Sequence, residues 1–282
     1  MIEAGLILEG GGMRGIYTAG VLEFFMDHDI YFKSTYGVSA GSCHACSYLS
    51  KQHDRAYRVS VDYLDDKRYC SVYSLLTTGD MFGAKLCYDL LPNQLDPYDY
   101  EAYKKYEGAF YAVVTNCKTG KAEYMQIQDM KKDIIAIRAS SSLPLLSKNV
   151  AIGGENYLDG GIADSIPLAE SMRSGNKKNV VILTQCQGYQ KGPNKLSPLM
   201  KVRYRKHPKL VEAIKSRHIR YNQTLALIER ERVKGNAFVI QPQINLGIKR
   251  IEKDKDKLRK LYELGYAAAK EHYDILMEFL EK

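Results

Sequence analysis

The sequence predicts an α/β protein with a mostly parallel sheet. Two observations carry this expectation. The first fifty residues run as short apolar segment, glycine loop, helix-length segment, short apolar segment, glycine turn, helix-length segment, the order of a parallel unit whose helices cross back over the sheet. Further on, the buried-type runs Val180–Thr184 and Ala237–Ile240 stand on either side of a long helical stretch. With 282 residues, 45% hydrophobic and 26% charged, the chain is long enough to bury a full core.

The elements follow in order. Gly5-Leu6-Ile7-Leu8 reads as a buried strand, and Gly15 to Asp27 as a helix with Ile16, Ala19, Leu22 and Phe25 along one side. Ser34 to Val38 is a second strand and Ala40 to Ser50 a second helix. Residues 52–108 are tyrosine-rich and mostly helical. Ala109 to Val114 is a strand, paired through the turn Lys118-Thr119-Gly120-Lys121 with Glu123 to Ile127. A helix spans about 130–140. Val150-Ala151-Ile152 and Tyr157-Leu158 form a hairpin around Gly153-Gly154-Glu155-Asn156. A long helix runs from Pro208 to Val233, and another from Asp254 to Leu280. No linker composition or repeat interrupts the chain, so a single domain over 1–282 is expected.

Composition narrows the function. No run of about 18 apolar residues exists to span a membrane, and Met1-Ile2-Glu3-Ala4 lacks a secretory pattern. Six cysteines in 282 residues are too sparse for a disulfide scaffold. Cys43 and Cys46 form one C-x-x-C pair with no second pair to complete a zinc site, and the spacing on a helix reads as structural. A reducing, cytoplasmic setting is expected. Residues 1–170 hold 16 basic and 22 acidic residues, and residues 171–282 hold 25 and 11. This basic C-terminal third suits an anionic partner such as a lipid surface, or simply a solvated face.

Three motifs bear chemistry. Gly10-Gly11-Gly12-Met13-Arg14-Gly15 lies between a strand and a helix. Such a loop can hold a dinucleotide, but no acidic residue ends the second strand to take the ribose. The same geometry offers backbone N–H groups to a developing oxyanion, with Arg14 adding positive charge. Gly37-Val38-Ser39-Ala40-Gly41 is a G-x-S-x-G nucleophile elbow at a strand-to-helix turn; the plainer reading makes Ser39 a helix cap. None of the six histidines sits at an obvious strand end, so a Ser–His–Asp triad is poorly supported. Leu158-Asp159-Gly160-Gly161 instead places a carboxylate at a strand end, where it could serve as general base to Ser39 or only as a turn residue.

Together these motifs resemble the patatin-like phospholipase family. Gly10 to Gly15 matches its glycine-rich oxyanion loop, Gly37 to Gly41 its elbow, and Asp159-Gly160-Gly161 its aspartate motif. Arg138-Ala139-Ser140-Ser141-Ser142-Leu143-Pro144 resembles the segment preceding that aspartate. One departure is Asp164-Ser165-Ile166-Pro167, where the family often has Asn before the proline. The resemblance covers about residues 4–185 and implies a three-layer α/β/α sandwich. It also implies a Ser39–Asp159 dyad hydrolysing lipid acyl esters, and no metal or cofactor. Residues 186–282 are then a basic, mainly helical extension packed on the core. Its segment Lys201 to Arg220, with Tyr204 and Tyr221, is expected to touch anionic membrane. No nucleic-acid partner is expected. The rival functions are a non-catalytic lipid-surface binder and, less well supported, a nucleotide-binding protein.

Overall fold

The computed structural model describes residues 1–194 and 196–281. Among these, eight strands form one mixed sheet: β1 (Ile2–Leu8), β2 (Phe32–Val38), β3 (Ala109–Asn116), β4 (Ala122–Gln126), β5 (Val150–Ile152), β6 (Glu155–Asp159), β7 (Asn179–Ile182) and β8 (Ala237–Ile240). β1, β2, β3, β7 and β8 pair in parallel. β4 and β6 run antiparallel to β3, and β5 antiparallel to β6. The helices are α1 (Ile16–Asp27), α2 (Ala40–Leu49), α3 (Arg55–Val61), α4 (Val72–Thr78), α5 (Tyr100–Lys104), α6 (Met130–Ser140), α7 (Leu168–Arg173), α8 (Ser197–Arg203), α9 (Pro208–Val233), α10 (Lys255–Glu271) and α11 (Tyr273–Glu281).

The sheet is the middle of three layers, as expected. Side chains alternate across a strand. On β1, Leu6 and Leu8 join the core beneath α1, α2 and α10, whereas Ile7 joins Leu168 of α7 and Tyr221 and Ile228 of α9 on the other face. The C-terminal extension therefore covers both faces, α10 against α1 on one and α9 on the other.

The registers explain how distant segments meet. β4 occupies one edge of β3 along Tyr111 to Thr115. β2 must therefore use the opposite edge, ending with Val38 beside Val113. β6 takes up that same edge where β2 leaves off, with Asp159 beside Val114. Adjacent residues of one strand thus bring the end of β2 and the end of β6 together.

The expected elements are present with one correction. The helix anticipated over 254–280 is two helices, α10 and α11, parted at His272. The break re-aims α11 so that Phe279 packs on Phe238 of β8, with ring centroids 5.7 Å apart, a tertiary contact that hydrophobic periodicity does not encode.

Candidate functional site

Ser39 sits between β2 and α2 with φ 54° and ψ −121°. A side-chain-bearing residue in that region stores on the order of 1–3 kcal/mol and persists only when its surroundings hold it. Here the Ser39 N–H donates to Ser140 Oγ at 2.9 Å. Its carbonyl accepts from the N–H groups of Ser42 and Cys43 at 3.0 and 3.2 Å, and from Ser42 Oγ at 2.7 Å. The Arg138–Pro144 segment singled out in the sequence therefore has a structural role: it grips the elbow. It grips the aspartate too, because the Asp159 N–H donates to the Ser142 carbonyl at 2.8 Å.

Asp159 is 3% exposed. Its Oδ1 accepts from the Gly161 N–H at 2.8 Å. Its Oδ2 is sealed from solvent and has no hydrogen-bond partner. Burial pushes the carboxyl pKa above its ordinary value; Arg217, the Ser39 hydroxyl, the Gly161 N–H and Arg250 pull it back. The Ser39 hydroxyl is thus close enough to favour the carboxylate without closing a full bond to Oδ2. Such contacts commonly tighten only when substrate is bound.

The glycine loop lies over the same point. Gly10 lies against Ser39: a methyl on it would stand 3.0 Å from Ser39 Cβ. Gly12 has φ +57° and faces the Arg250 carbonyl, 2.5 Å from where a Cβ would be, so only glycine fits there. That carbonyl also accepts from the Met13 N–H at 3.0 Å. Gly15 sits beside Ala40 and His44, Gly37 against Ser42, Gly41 against the Leu8 carbonyl and Gly160 against the Val113 carbonyl. The structure thus brings Ser39, Asp159 and all three glycine motifs into one cluster. Asp164 is engaged elsewhere, accepting from Tyr124 Oη at 2.8 Å and from the Ile166 N–H at 3.2 Å.

No histidine of the described residues hydrogen-bonds to Ser39 or Asp159. His44 lines the cavity beside Ser39, and burial alone lowers its pKa to about 4, so it stays neutral at ordinary pH.

That cavity is apolar. Ile16, Ile134, Ile137 and Leu143 contribute to its wall, with Phe82, Tyr88, Leu91 and Tyr98 from the 52–108 segment. Cys43 and Cys46 are wall residues as well. Burial raises both thiol pKa values, which marks them as unreactive.

The opposite side of the site is charged, and no local sequence pattern signals it. Buried Glu9 accepts from the Thr184 N–H at 2.6 Å, Thr184 Oγ1 at 3.0 Å and Tyr221 Oη at 2.7 Å. With its amide turned to satisfy its hydrogen bonds, Gln185 accepts from Arg14 Nε and Nη2, both at 3.3 Å. Arg217 of α9 lies beside the aspartate motif, its Nη2 3.4 Å from Ser165 Oγ and its Nε sealed without a partner. Lys191 Nζ sits 4.1 Å from the centre of the Tyr221 ring.

The basic segment Lys201 to Arg220 is not one surface. Lys201, Arg203, Arg205, Lys206, Lys209 and Lys215 are exposed, but Arg217 and Arg220 turn inward. Arg220 donates to the Ala163 and Ile162 carbonyls at 3.1 and 2.9 Å. The two tyrosines expected at a lipid interface are buried, Tyr204 at 1% and Tyr221 at 3% exposure. Each hydroxyl has an internal partner, Leu145 N–H for Tyr204 and Glu9 for Tyr221.

Comparison with known proteins identifies the family. A family model described as patatin-like phospholipase matches residues 6–172, more than half of the chain. The chain belongs to the patatin-like phospholipase family. A second model, of a domain of unknown function (DUF6363), matches residues 207–281. The uncharacterized protein YjjU of Escherichia coli (strain K12) is 30% identical over 186 residues, 64% of this chain and 51% of that protein. Probable lipid hydrolase 463L of Invertebrate iridescent virus 6 is 23% identical over 193 residues, 62% of this chain and 65% of that protein. The chain spans about half the length of the first relative and under two thirds of the second. VipD from Legionella pneumophila aligns with 99% of this chain and 66% of its own, with 13% identity and a TM-score of 0.45.

Proposed function

We propose that this chain is a serine acyl hydrolase acting on lipid esters through a Ser39–Asp159 dyad. Asp159 Oδ2 takes the Ser39 hydroxyl proton as Oγ attacks the ester carbonyl carbon. Backbone N–H groups of the Gly10–Gly12 loop receive the oxyanion, with Arg14 and Gly15 completing the loop. Collapse of the tetrahedral intermediate expels the alcohol, which leaves with the proton held on Asp159. Water then attacks the acyl–serine ester, again deprotonated by Asp159, and release of the fatty acid returns the proton to Ser39. The apolar cavity holds the acyl chain. No step needs a metal or cofactor.

The observation that carries this reading is a strained serine that lines an apolar cavity beside a buried carboxylate whose Oδ2 has no partner. A fluorophosphonate probe tests it. Wild type is expected to be labelled and Ser39→Ala not. Absence of labelling in the folded wild type contradicts the reading.

We read residues 1–282 as one unit, with a catalytic core over 4–185 and an extension over 186–282. The extension's exposed part offers a membrane contact. On and beside α8, Leu196, Leu199 and Val202 are exposed among Lys201, Arg203, Arg205, Lys206 and Lys209. On α4, Val72, Tyr73 and Leu76 are exposed. Loop 143–149 bridges the two helices: the Leu145 N–H meets Tyr204 after α8, and the Lys148 N–H meets Asp80 after α4. Leu143 of that loop lines the cavity, so both apolar faces flank a segment leading to the acyl site. Among the described residues no helix is long and apolar enough to cross a membrane, and a peripheral contact of this kind brings the site to its substrate.

A further inference from the structure

Four cations gather on the polar side of the dyad, three of them from outside the region matched by the patatin-like model. Arg14 belongs to the glycine loop. Lys191, Arg217 and Arg250 belong to the C-terminal extension. They share one neighbourhood. The Arg250 backbone rests on Gly12 and Met13, and Arg217 Nη2 would lie 3.0 Å from a Cβ on Gly161, as would Asp159 Oδ1. Lys191 stacks over Tyr221, whose hydroxyl holds Glu9.

Among the described residues two buried carboxylates lie near these cations, Glu9 and Asp159, and they offset the four positive charges only in part. Glu9 accepts hydrogen bonds from Thr184 and Tyr221, and Asp159 is the base proposed above. Burial and then Arg217 and Arg250 pull the Lys191 pKa down to about 7, with Glu9 opposing, and burial and then Arg250 pull that of Arg217 to about 10, with Asp159 and Glu9 opposing. Positive charge held this close together, with a sealed guanidinium Nε lacking any partner, suits an anion that arrives from outside. Three planar guanidinium forks and an ammonium match a tetrahedral anion with several oxygens.

We propose that Lys191, Arg217 and Arg250, together with Arg14, form a site for a phosphoryl group, so that the C-terminal extension selects phosphate-bearing acyl esters over neutral ones. This rests on the acyl-hydrolase reading and gives the extension a role in substrate choice. The acyl chain then lies in the apolar cavity and the phosphoryl group on the extension's side of Ser39.

The test compares two esters with the same acyl chain, lysophosphatidic acid and monoacylglycerol, using wild type, Lys191→Gln and Arg250→Gln. Arg250 is exposed, so its replacement leaves the fold in place. The wild type is expected to prefer the phosphate-bearing ester, and its ratio of kcat/KM to fall at least tenfold in each variant, mainly through KM. A parallel arm measures thermal stabilisation by glycerol 3-phosphate and by inorganic phosphate, which needs no turnover. Glycerol 3-phosphate is expected to stabilise wild type more than either variant and more than inorganic phosphate does. A ratio unchanged in both variants overturns the proposal. Equal stabilisation by the two phosphates makes this a free-phosphate site and overturns headgroup selection. A wild type that cleaves neither ester but keeps the phosphate-dependent stabilisation refutes the hydrolase reading and leaves the anion site standing.

Discussion

The two sides of Ser39 differ in origin as well as in chemistry. The apolar wall comes from α1, α2, the 52–108 segment and α6, all within the stretch matched by the family model. The charged wall comes largely from Lys191, Arg217 and Arg250, beyond it. An acyl chain needs only apolar surface of sufficient extent, which tolerates varied side chains. A fixed anion needs particular donors in particular places. The core therefore supplies a general lipid site, and the extension is where selectivity among lipids resides in our account.

The largest effect expected is on the reacting groups. Ser39→Ala and Asp159→Asn should each reduce hydrolysis of a p-nitrophenyl ester to background, and the double variant should be no worse than either, because the two residues act as one unit. Additive losses would mean they work separately. Next comes Gly12→Ala. Its methyl meets the Arg250 carbonyl at 2.5 Å, pushing the extension off the loop and spoiling the oxyanion donors. A loss in kcat on the order of 100-fold is expected, as for one lost donor. A variant with full kcat would separate the extension from the oxyanion loop.

A smaller effect links the two walls through pH. Activity requires ionised Asp159, whose pKa burial has raised and Arg217 holds down. The acid limb of kcat/KM should lie above the ordinary carboxylate range. Arg217→Gln should move that limb to higher pH, since the carboxylate loses the cation that does most to hold its pKa down. A limb that stays put removes Arg217 from any influence on the base.

The same shift has a consequence for stability. A carboxyl whose folded pKa is raised contributes stability below its unfolded pKa and loses it as pH rises through the folded pKa. Ionised Asp159 therefore costs the fold free energy at neutral pH. Asp159→Asn should melt higher than wild type near pH 7, by about 2–4 °C for each kcal/mol removed. The gap should close in acid, where both side chains are neutral. A lower melting temperature at pH 7 would show that the ionised carboxylate is well compensated. The mildest expectation concerns α8. Changing Arg203, Arg205, Lys206 and Lys209 to Gln should weaken salt-sensitive co-sedimentation with anionic vesicles and leave hydrolysis of a soluble ester unaltered.

The three motifs that the fold gathers around Ser39 were legible in the sequence because each is short and local. A serine between glycines at a strand end, a glycine run before a helix and an Asp-Gly-Gly after a strand each specify local backbone. α9 and β8 were readable to the residue because Pro208 opens the helix and Gly235 follows its end. The charged wall was not legible. Lys191, Arg217 and Arg250 are ordinary basic residues on a segment rich in them, and only tertiary packing decides which turn inward. The same blindness placed Tyr204 and Tyr221 at a lipid interface, although their hydroxyls close internal hydrogen bonds. Ser140 and Ser142 were noticed as part of a motif, but their grip on Ser39 and Asp159 depends on a register across β3 that local pattern does not contain. The break at His272 is of this kind too.

The central claim is that Asp159, with no histidine, activates Ser39. The most direct measurement is the rate of fluorophosphonate labelling of Ser39 in Asp159→Asn and His44→Gln, each checked for folding by its melting curve. The account predicts labelling of Asp159→Asn slowed by two orders of magnitude or more, on the scale of a lost general base, with His44→Gln reacting at a rate close to wild type. Rapid labelling of Asp159→Asn together with loss of labelling in His44→Gln would contradict it and return the serine to a histidine base.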